Sequence, residues 1–551
     1  MRPLTSADLD RPWRLDFHQP RGVVPLGLTV IEDIAAGSRT AAAALGVDGG
    51  LVARLVGCHV YLGPAADGGG NAGSPAVAGS GANPLVPGGD PAAYAVRFTE
   101  LWAELSGQLR DELDALDALP LADLDAQGLG RAWRQAREVC SRAWRLHFAV
   151  MYPVFAIHEV VLAGLAADGI GALEASELIG VPDHTIARTD RALAELADLA
   201  DSEGLAPVFL HSPSGQLLLR LQSEPRAAAW LERFAEFDTA YGQRSAAVGD
   251  LDSPSWHESP SIPLGLVRAA LVAGPSAPRP ARPAGVATLP GTRLGAEAAA
   301  RVTQWLALAG QAPAAWWNEE HNVLIDLRGH LPLRAVALAA GRLLGLPAAD
   351  DALYLHESEL LDLLAGRADA TALLTPIQQR RAFVEAWRER RHDLPGHLGA
   401  PGDGGDIVLR QILGTPEARP ATDGHVDAIG PRPGQPPQSR LPDLEGMGVS
   451  SGVARGRARV LASADDIEQV QRGEVLVCEA TSPSWTPAFD RIAAAVCDAG
   501  GMLTHAAIVS REYGLPCVCA VLDATALIHT GDLLLVDGDL GVVRVLERGM
   551  P

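Results

Sequence analysis

Hydrophobic spacing splits the chain into two regimes. From about residue 93 to 391, apolar residues recur every three or four positions with polar residues between them, the period of helices that bury one face. That pattern predicts helices over Ala93–Leu119, Gly128–Asp168, Asp183–Asp201, Glu224–Tyr241, Leu294–Ala309, Leu331–Leu344, Glu357–Ala365 and Pro376–Arg391. Within Gly128–Asp168, Pro153 predicts a kink, or a break that makes the segment a helical hairpin. Ahead of this block a helix is expected from about Val30 to Leu45, and the run ending near Tyr61 alternates as a short strand does. Beyond residue 442 the helical period gives way to short β segments: Gly448–Val460, Glu474–Cys478, Ala493–Cys497, Pro516–Ala520, Leu533–Asp537 and Gly541–Leu546. Helical turns over Asp465–Val470, Trp485–Ile492, His505–Tyr513 and near Ala524 alternate with them.

The expected fold class is therefore multidomain, α + α/β. A large, mainly helical N-terminal domain occupies 1–395, a Pro/Gly-rich linker 396–442, and a compact α/β domain 443–551. Stretches at about 63–92 and 273–293 are dominated by small residues and proline and read as loops. The linker, with Pro431 to Pro437 at its centre, is semi-rigid; it holds a small domain at reach and leaves it free to rotate.

Composition narrows the function. A net charge of −22 argues against nucleic-acid partners and anionic membrane surfaces. The sequence contains no lysine, which excludes both a phosphate-loop lysine and a Schiff-base lysine. The six cysteines show no Cys-x-x-Cys spacing, and their sparseness points to a reducing cytoplasm. The most apolar run, Phe148 to Ala166, contains Pro153, His158 and Glu159, so it reads as a buried helix and not as a membrane span. The N-terminus lacks the apolar stretch of a signal peptide.

The segment from Gly500 to Pro516 carries the strongest chemical signal. His505 stands between the glycine pair Gly500 and Gly501 and a small-residue segment that opens a helix. Free N–H groups and the helix dipole favour an anion there, and the expected anion is a phosphoryl group on His505 itself. A second candidate is the polar loop from Tyr241 to Pro260. Its Arg244 matches phosphate oxygens with a planar fork, and a helix C-cap followed by a structural turn is the alternative. A third is Trp316 to Asp326. On a helix Glu319, Asn322 and Asp326 share one face, with Glu320 and His321 beside it, a set suited to acid–base work or to a solvated surface. The His-Glu-x-x-His zinc pattern is absent and no metal ligand set is expected. His18 and His59 are weaker candidates.

Four landmarks make the C-terminal domain resemble the swivelling phosphohistidine domain of the phosphoenolpyruvate-utilising enzymes: Gly446–Val460, Gly473–Pro487, Gly500–Pro516 and Gly531–Gly538. The resemblance implies a swivelling β/β/α domain in which His505 is phosphorylated. Thr504 then occupies the preceding hydroxyl position, Thr481 or Ser482 faces the phosphohistidine, and Arg511 balances charge. Residues 1 to about 400 resemble the substrate region of rifampin phosphotransferase-like proteins, through Tyr241–Pro260, Glu319–Asp326 and Asp350–Leu360. In the first of these, Gln243 and Val248 replace a His and a Glu of the family pattern, while Arg244, Pro254, Trp256 and Glu258 remain.

No ATP-grasp segment is legible, so the resemblance implies a two-component arrangement of the phenylphosphate synthase type. A separate ATP-grasp partner, which also holds ATP and Mg²⁺, phosphorylates His505, and no cofactor is bound firmly by this chain. The acceptor is then a hydroxyl of a small molecule, oriented by Arg244, Gln243 and Glu258 and activated from Glu319, Glu320, His321 or Asn322. Two other readings stay open: a dehydration in which phosphate is only the leaving group, and a non-catalytic binding or regulatory relative.

Overall fold

The structure, a computed structural model, describes residues 1–47, 49–65, 83–245, 247–273, 294–400, 407, 443–462, 464–482, 485–521 and 523–549. Most of the expected linker and the larger parts of the two expected loops lie outside the described residues. The chain forms two compact units. One comprises Met1–Ala163, Ala247–Ser253 and Leu324–Gly434; the other comprises Gly164–Ala246, Pro254–Val323 and Gln435–Pro551.

In the first unit the described strands form a four-stranded antiparallel sheet of order β2-β3-β1-β4. These strands are β1 (Pro12–Leu15), β2 (Leu51–Val56), β3 (His59–Pro64) and β4 (His397–Gly399). Gly57 turns the β2–β3 hairpin at φ +60°, and Trp13 pairs with Leu398, so the sheet joins the first residues to a segment almost four hundred positions on. Trp13, Tyr61, Leu394 and Leu398 share its core. His59, sequestered there with Nε2 2.9 Å from the Trp387 carbonyl, has its pKa pushed down to about 4 by burial and then by Arg391. It is a core histidine.

The helices follow the predicted periodicity with two corrections. Residues Ala126–Ala167 form one continuous helix with Pro153 inside it, not a hairpin. Proline removes one backbone bond there, at a cost of about 3 kcal/mol, but burial of every residue from Val150 to Ile157 outweighs it. This helix is long and apolar enough to cross a membrane by length and composition, and 72% of its most apolar window is buried within the protein, as in a core helix. The helix expected from Pro376 begins earlier, at Ala370, because Asp369 caps it by accepting from the Thr371 amide at 3.0 Å.

The second unit contains helices Ala172–Ile179, Thr185–Ser202, Ala228–Tyr241, Ser261–Ala273, Ala296–Gln311 and Ala314–His321. Helix Ser261–Ala273 escaped the periodicity reading because Pro263 and Gly265 stand inside an otherwise apolar run. The C-terminal β region has eight described strands, β5 (Asp443–Glu445), β6 (Met447–Ser450), β7 (Val453–Val460), β8 (Val475–Cys478), β9 (Ala494–Cys497), β10 (Cys517–Cys519), β11 (Leu533–Asp537) and β12 (Val542–Glu547). Their order is β5-β12-β11-β7-β8-β9-β10-β6. Strands β7 to β10 run parallel, and the flanking pairs are antiparallel. The predicted segment Gly448–Val460 is thus two strands at separate places in the sheet, parted at Gly452, whose φ of +110° suits glycine. The fold is a mostly helical N-terminal region with a C-terminal β-sheet domain, as the pattern implied. One apolar core joins them in this unit: Trp230, Phe237, Trp256, Leu264 and Val267 pack in the same cluster as Ile467, Trp485 and Phe489.

Candidate functional site

The site sits at the C-terminal ends of parallel strands, where the loops between strand and helix gather. Strands β8 and β9 are neighbours in register, Cys478 beside Cys497. Each is followed by a loop and a helix, and each helix begins eight residues past that cysteine, at Thr486 and at His505. Equal loops leaving adjacent strands bring the two helix starts together. The Thr486 hydroxyl lies 3.1 Å from His505 Nε2.

The turn before His505 is set by its glycines. Gly500 has φ +125°, and a Cβ there would stand 3.1 Å from Thr504 Oγ1, so glycine is required. The Thr504 hydroxyl donates to the Gly501 carbonyl at 2.8 Å, which closes the turn and makes Thr504 the residue from which the helix starts. Arg511, buried on the same helix, directs its guanidinium at two backbone carbonyls, Val449 at 2.9 Å and Met502 at 2.8 Å. Burial pushes its pKa down to about 10. In this arrangement Arg511 braces the turn.

The other face of His505 meets the helical region of the same unit. His505 Nδ1 is 3.0 Å from Glu319 Oε2, with both side chains almost wholly enclosed. Burial opposes ionisation of Glu319. The neighbouring imidazoles of His505 and His184 and hydrogen bonds from His505 and Asn318 outweigh it and hold the carboxyl below its ordinary value. An ionised carboxylate only accepts, so Nδ1 carries the hydrogen and Nε2 is left with its lone pair toward Thr486. Phe489 closes the site edge-on, 6.3 Å from the His505 ring.

The remaining candidates separate by role. Glu320 turns away from His505 and caps helix Thr185–Ser202, accepting from the Thr185 amide at 2.6 Å and from Arg188 at 3.1 Å. His321 stacks on Trp317 and places Nδ1 3.0 Å from the Trp317 carbonyl. Beyond His321 the backbone becomes a π-helix over Asn322–Asp326, so the α-helical face predicted for Glu319, Asn322 and Asp326 is not continuous. Arg244 is fully buried, stacked 4.0 Å from the Trp256 ring centroid, and donates to Thr189 at 3.2 Å. Its Nε has no hydrogen-bond partner among the described residues. Burial lowers its pKa to about 10, against the raising charges of Asp190, Glu319 and Tyr241. Gln243, beside it, is half-buried. Glu258 accepts from the Ser255 amide at 2.9 Å and shapes its own turn. Thr481 is buried with its hydroxyl unpartnered among the described residues, and Ser482 is half-buried. Thr486, which the motif reading passed over, is the hydroxyl that reaches the histidine. Its signal was in the sequence: Thr486-Pro487 opens a helix, as Thr504 and His505 do.

Two segments of the chain match known protein families. Residues 470–541 match the mobile domain of PEP-utilising enzymes, and residues 146–316 match the fourth domain of rifampicin phosphotransferase. His505 and Thr486 lie within the first match, and Arg244 and Glu258 lie within the second. Across 466 residues the chain is 29% identical to the chondramide synthase of Chondromyces crocatus, covering 81% of this chain and 12% of that protein. Across 459 residues it is 25% identical to an uncharacterized phosphotransferase of Bacillus subtilis, covering 79% of this chain and 51% of the relative. The rifampicin phosphotransferase of Bacillus cereus is 45% identical over 103 residues, 19% of this chain and 12% of that enzyme. The chain thus spans about half the length, or less, of the curated relatives it matches. The Bacillus subtilis and Bacillus cereus relatives are named as phosphotransferases.

Proposed function

We propose that the protein is a phosphotransferase in which His505 carries a phosphoryl group to a small-molecule hydroxyl held by the helical region. The observation that supports this most is the His505–Glu319 contact at 3.0 Å, because it puts the hydrogen on Nδ1 and leaves the lone pair on Nε2, on a histidine seated against the helical region. In loading, the Nε2 lone pair attacks the donor phosphorus and the bond to the donor's leaving group breaks. The imidazole becomes cationic, and once the domain is back against the helical region the Glu319 carboxylate beside Nδ1 offsets that charge. In discharge, the acceptor oxygen attacks phosphorus, the P–N bond returns its electron pair to Nε2, and the hydroxyl proton leaves to water. Keeping the hydrogen on Nδ1 makes the imidazole a better leaving group. Arg244, whose Nε–H has no hydrogen-bond partner among the described residues, is the residue that would orient the phosphoryl oxygens.

The donor in this reading is an ATP-grasp protein that supplies ATP and Mg²⁺ chemistry, and the β domain swings between it and the helical region. Incubation with such a protein and γ-labelled ATP tests the scheme. The expected result is an acid-labile label on the wild type that disappears in His505→Ala. Absence of label, or label unchanged in that variant, would overturn it. The product's mass separates net phosphorylation from dehydration, since one adds phosphate and the other removes water.

A further inference from the structure

The helix that begins with His505 is held against the helical region at both ends, and the second attachment uses the same chemistry with the partners exchanged. At the start, His505 of the β domain pairs with Glu319. At its eighth residue, Glu512 of the β domain accepts from His184 Nε2 at 2.8 Å. His184 is fully enclosed and is the N-cap of helix Thr185–Ser202, where its Nδ1 accepts from the Ala187 amide at 3.3 Å. That cap leaves the hydrogen on Nε2, aimed at Glu512.

The two attachments are joined mechanically. Glu320, next to Glu319, bonds the amide and hydroxyl of Thr185, the residue after His184. The start of helix Thr185–Ser202 is therefore pinned from one side by the segment that holds His505 and from the other by Glu512. A third link, Ser451 to Glu177, ties the β6–β7 turn to helix Ala172–Ile179.

We infer that His184 and Glu512 form the docking latch that seats the phosphohistidine helix on the helical region and aligns His505 with Glu319. His184 acts through the helix it holds, so it is a positioning residue. This inference rests on the reading of His505 as a carrier that undocks. The raised pKa of His184, in which its hydrogen bond to Glu512 and the charges of Glu319, Glu512 and Glu320 outweigh burial, fits a pair that tightens as the helix seats.

Docking encloses His505, so its reactivity toward a small reagent reports undocking without any acceptor or partner. The probe is diethyl pyrocarbonate, with His505 modification followed by peptide mass spectrometry in the full chain. Glu512→Ala keeps the N-cap of helix Thr185–Ser202 intact and removes only the latch. Loss of a part-buried, charge-assisted bond predicts about tenfold faster modification of His505. His184→Ala is expected to match it, and Glu512→Gln, which retains an acceptor oxygen, to stay within about threefold of wild type. Equal rates in wild type and Glu512→Ala would overturn the latch. Labelling of His505 from ATP is read separately, so a failed latch with intact labelling leaves the carrier reading standing.

Discussion

Replacing Glu319 with glutamine tests the central contact most directly. The amide carbonyl still accepts from His505 Nδ1, so geometry is kept and only the charge is lost. A hydrogen bond to a charged group contributes about 1.5–3 kcal/mol and a neutral one about 0.5–1.5 kcal/mol. The difference, about 1–1.5 kcal/mol, corresponds to roughly five- to tenfold in rate. Glu319 is fully enclosed, so solvent does not screen that difference. The carboxylate stabilises the protonated imidazole from which phosphate departs, so the phosphorylated His505 of Glu319→Gln should discharge five- to tenfold more slowly. Glu319→Ala, which leaves Nδ1 without an acceptor, should be slower still. The assay loads His505 chemically with phosphoramidate and follows loss of the phosphoryl group by intact-mass spectrometry. A half-life in Glu319→Gln equal to or shorter than that of the wild type would refute the role assigned to the carboxylate. The fold should survive, since removing a buried charge also removes its desolvation cost.

Thr486→Val should slow loading of His505 by phosphoramidate by about fivefold through loss of one hydroxyl contact, whereas Thr481→Val should leave it unchanged; the same mass assay reads both. Arg511→Gln should destabilise the protein by about 2 kcal/mol or more in denaturant titration, because two buried carbonyls lose their donor. Asp498, at the end of β9, is pushed by burial from its ordinary 3.8 up to about 7 in the folded chain. The folded state then holds its proton more tightly than the unfolded one, so stability falls as pH rises from about 4 to 7. The penalty is complete above about 7 and absent below the unfolded value. Asp498→Asn should therefore be more stable than wild type at pH 8, by up to about 4 kcal/mol, and the gap should close near pH 4, as thermal melts at the two pH values would show.

Much of the C-terminal domain was legible before the structure because parallel strands buried on both faces are short, continuous apolar runs. The predicted helix His505–Tyr513 has the observed bounds, and Leu533–Asp537 is a strand as expected. Two kinds of feature were not legible. A proline predicts a break, but whether the helix survives depends on what its flanks bury, and Pro153 stands in a fully buried stretch. An i, i+3, i+7 face presumes regular α geometry, and the π-helix over Asn322–Asp326 removed it.

The sequence by itself determined local things: a glycine-bounded turn, a histidine at a helix start, and the change of period near residue 442. Each depends on φ, on spacing or on composition within a few residues. Which groups face His505 was decided only in three dimensions. Thr486 arrives because equal loops leave adjacent parallel strands, and Glu319, 186 residues earlier, arrives because an apolar core joins helices to sheet. Pairing of strands and packing of helices are long-range contacts, set by complementary buried surfaces that no window of sequence contains.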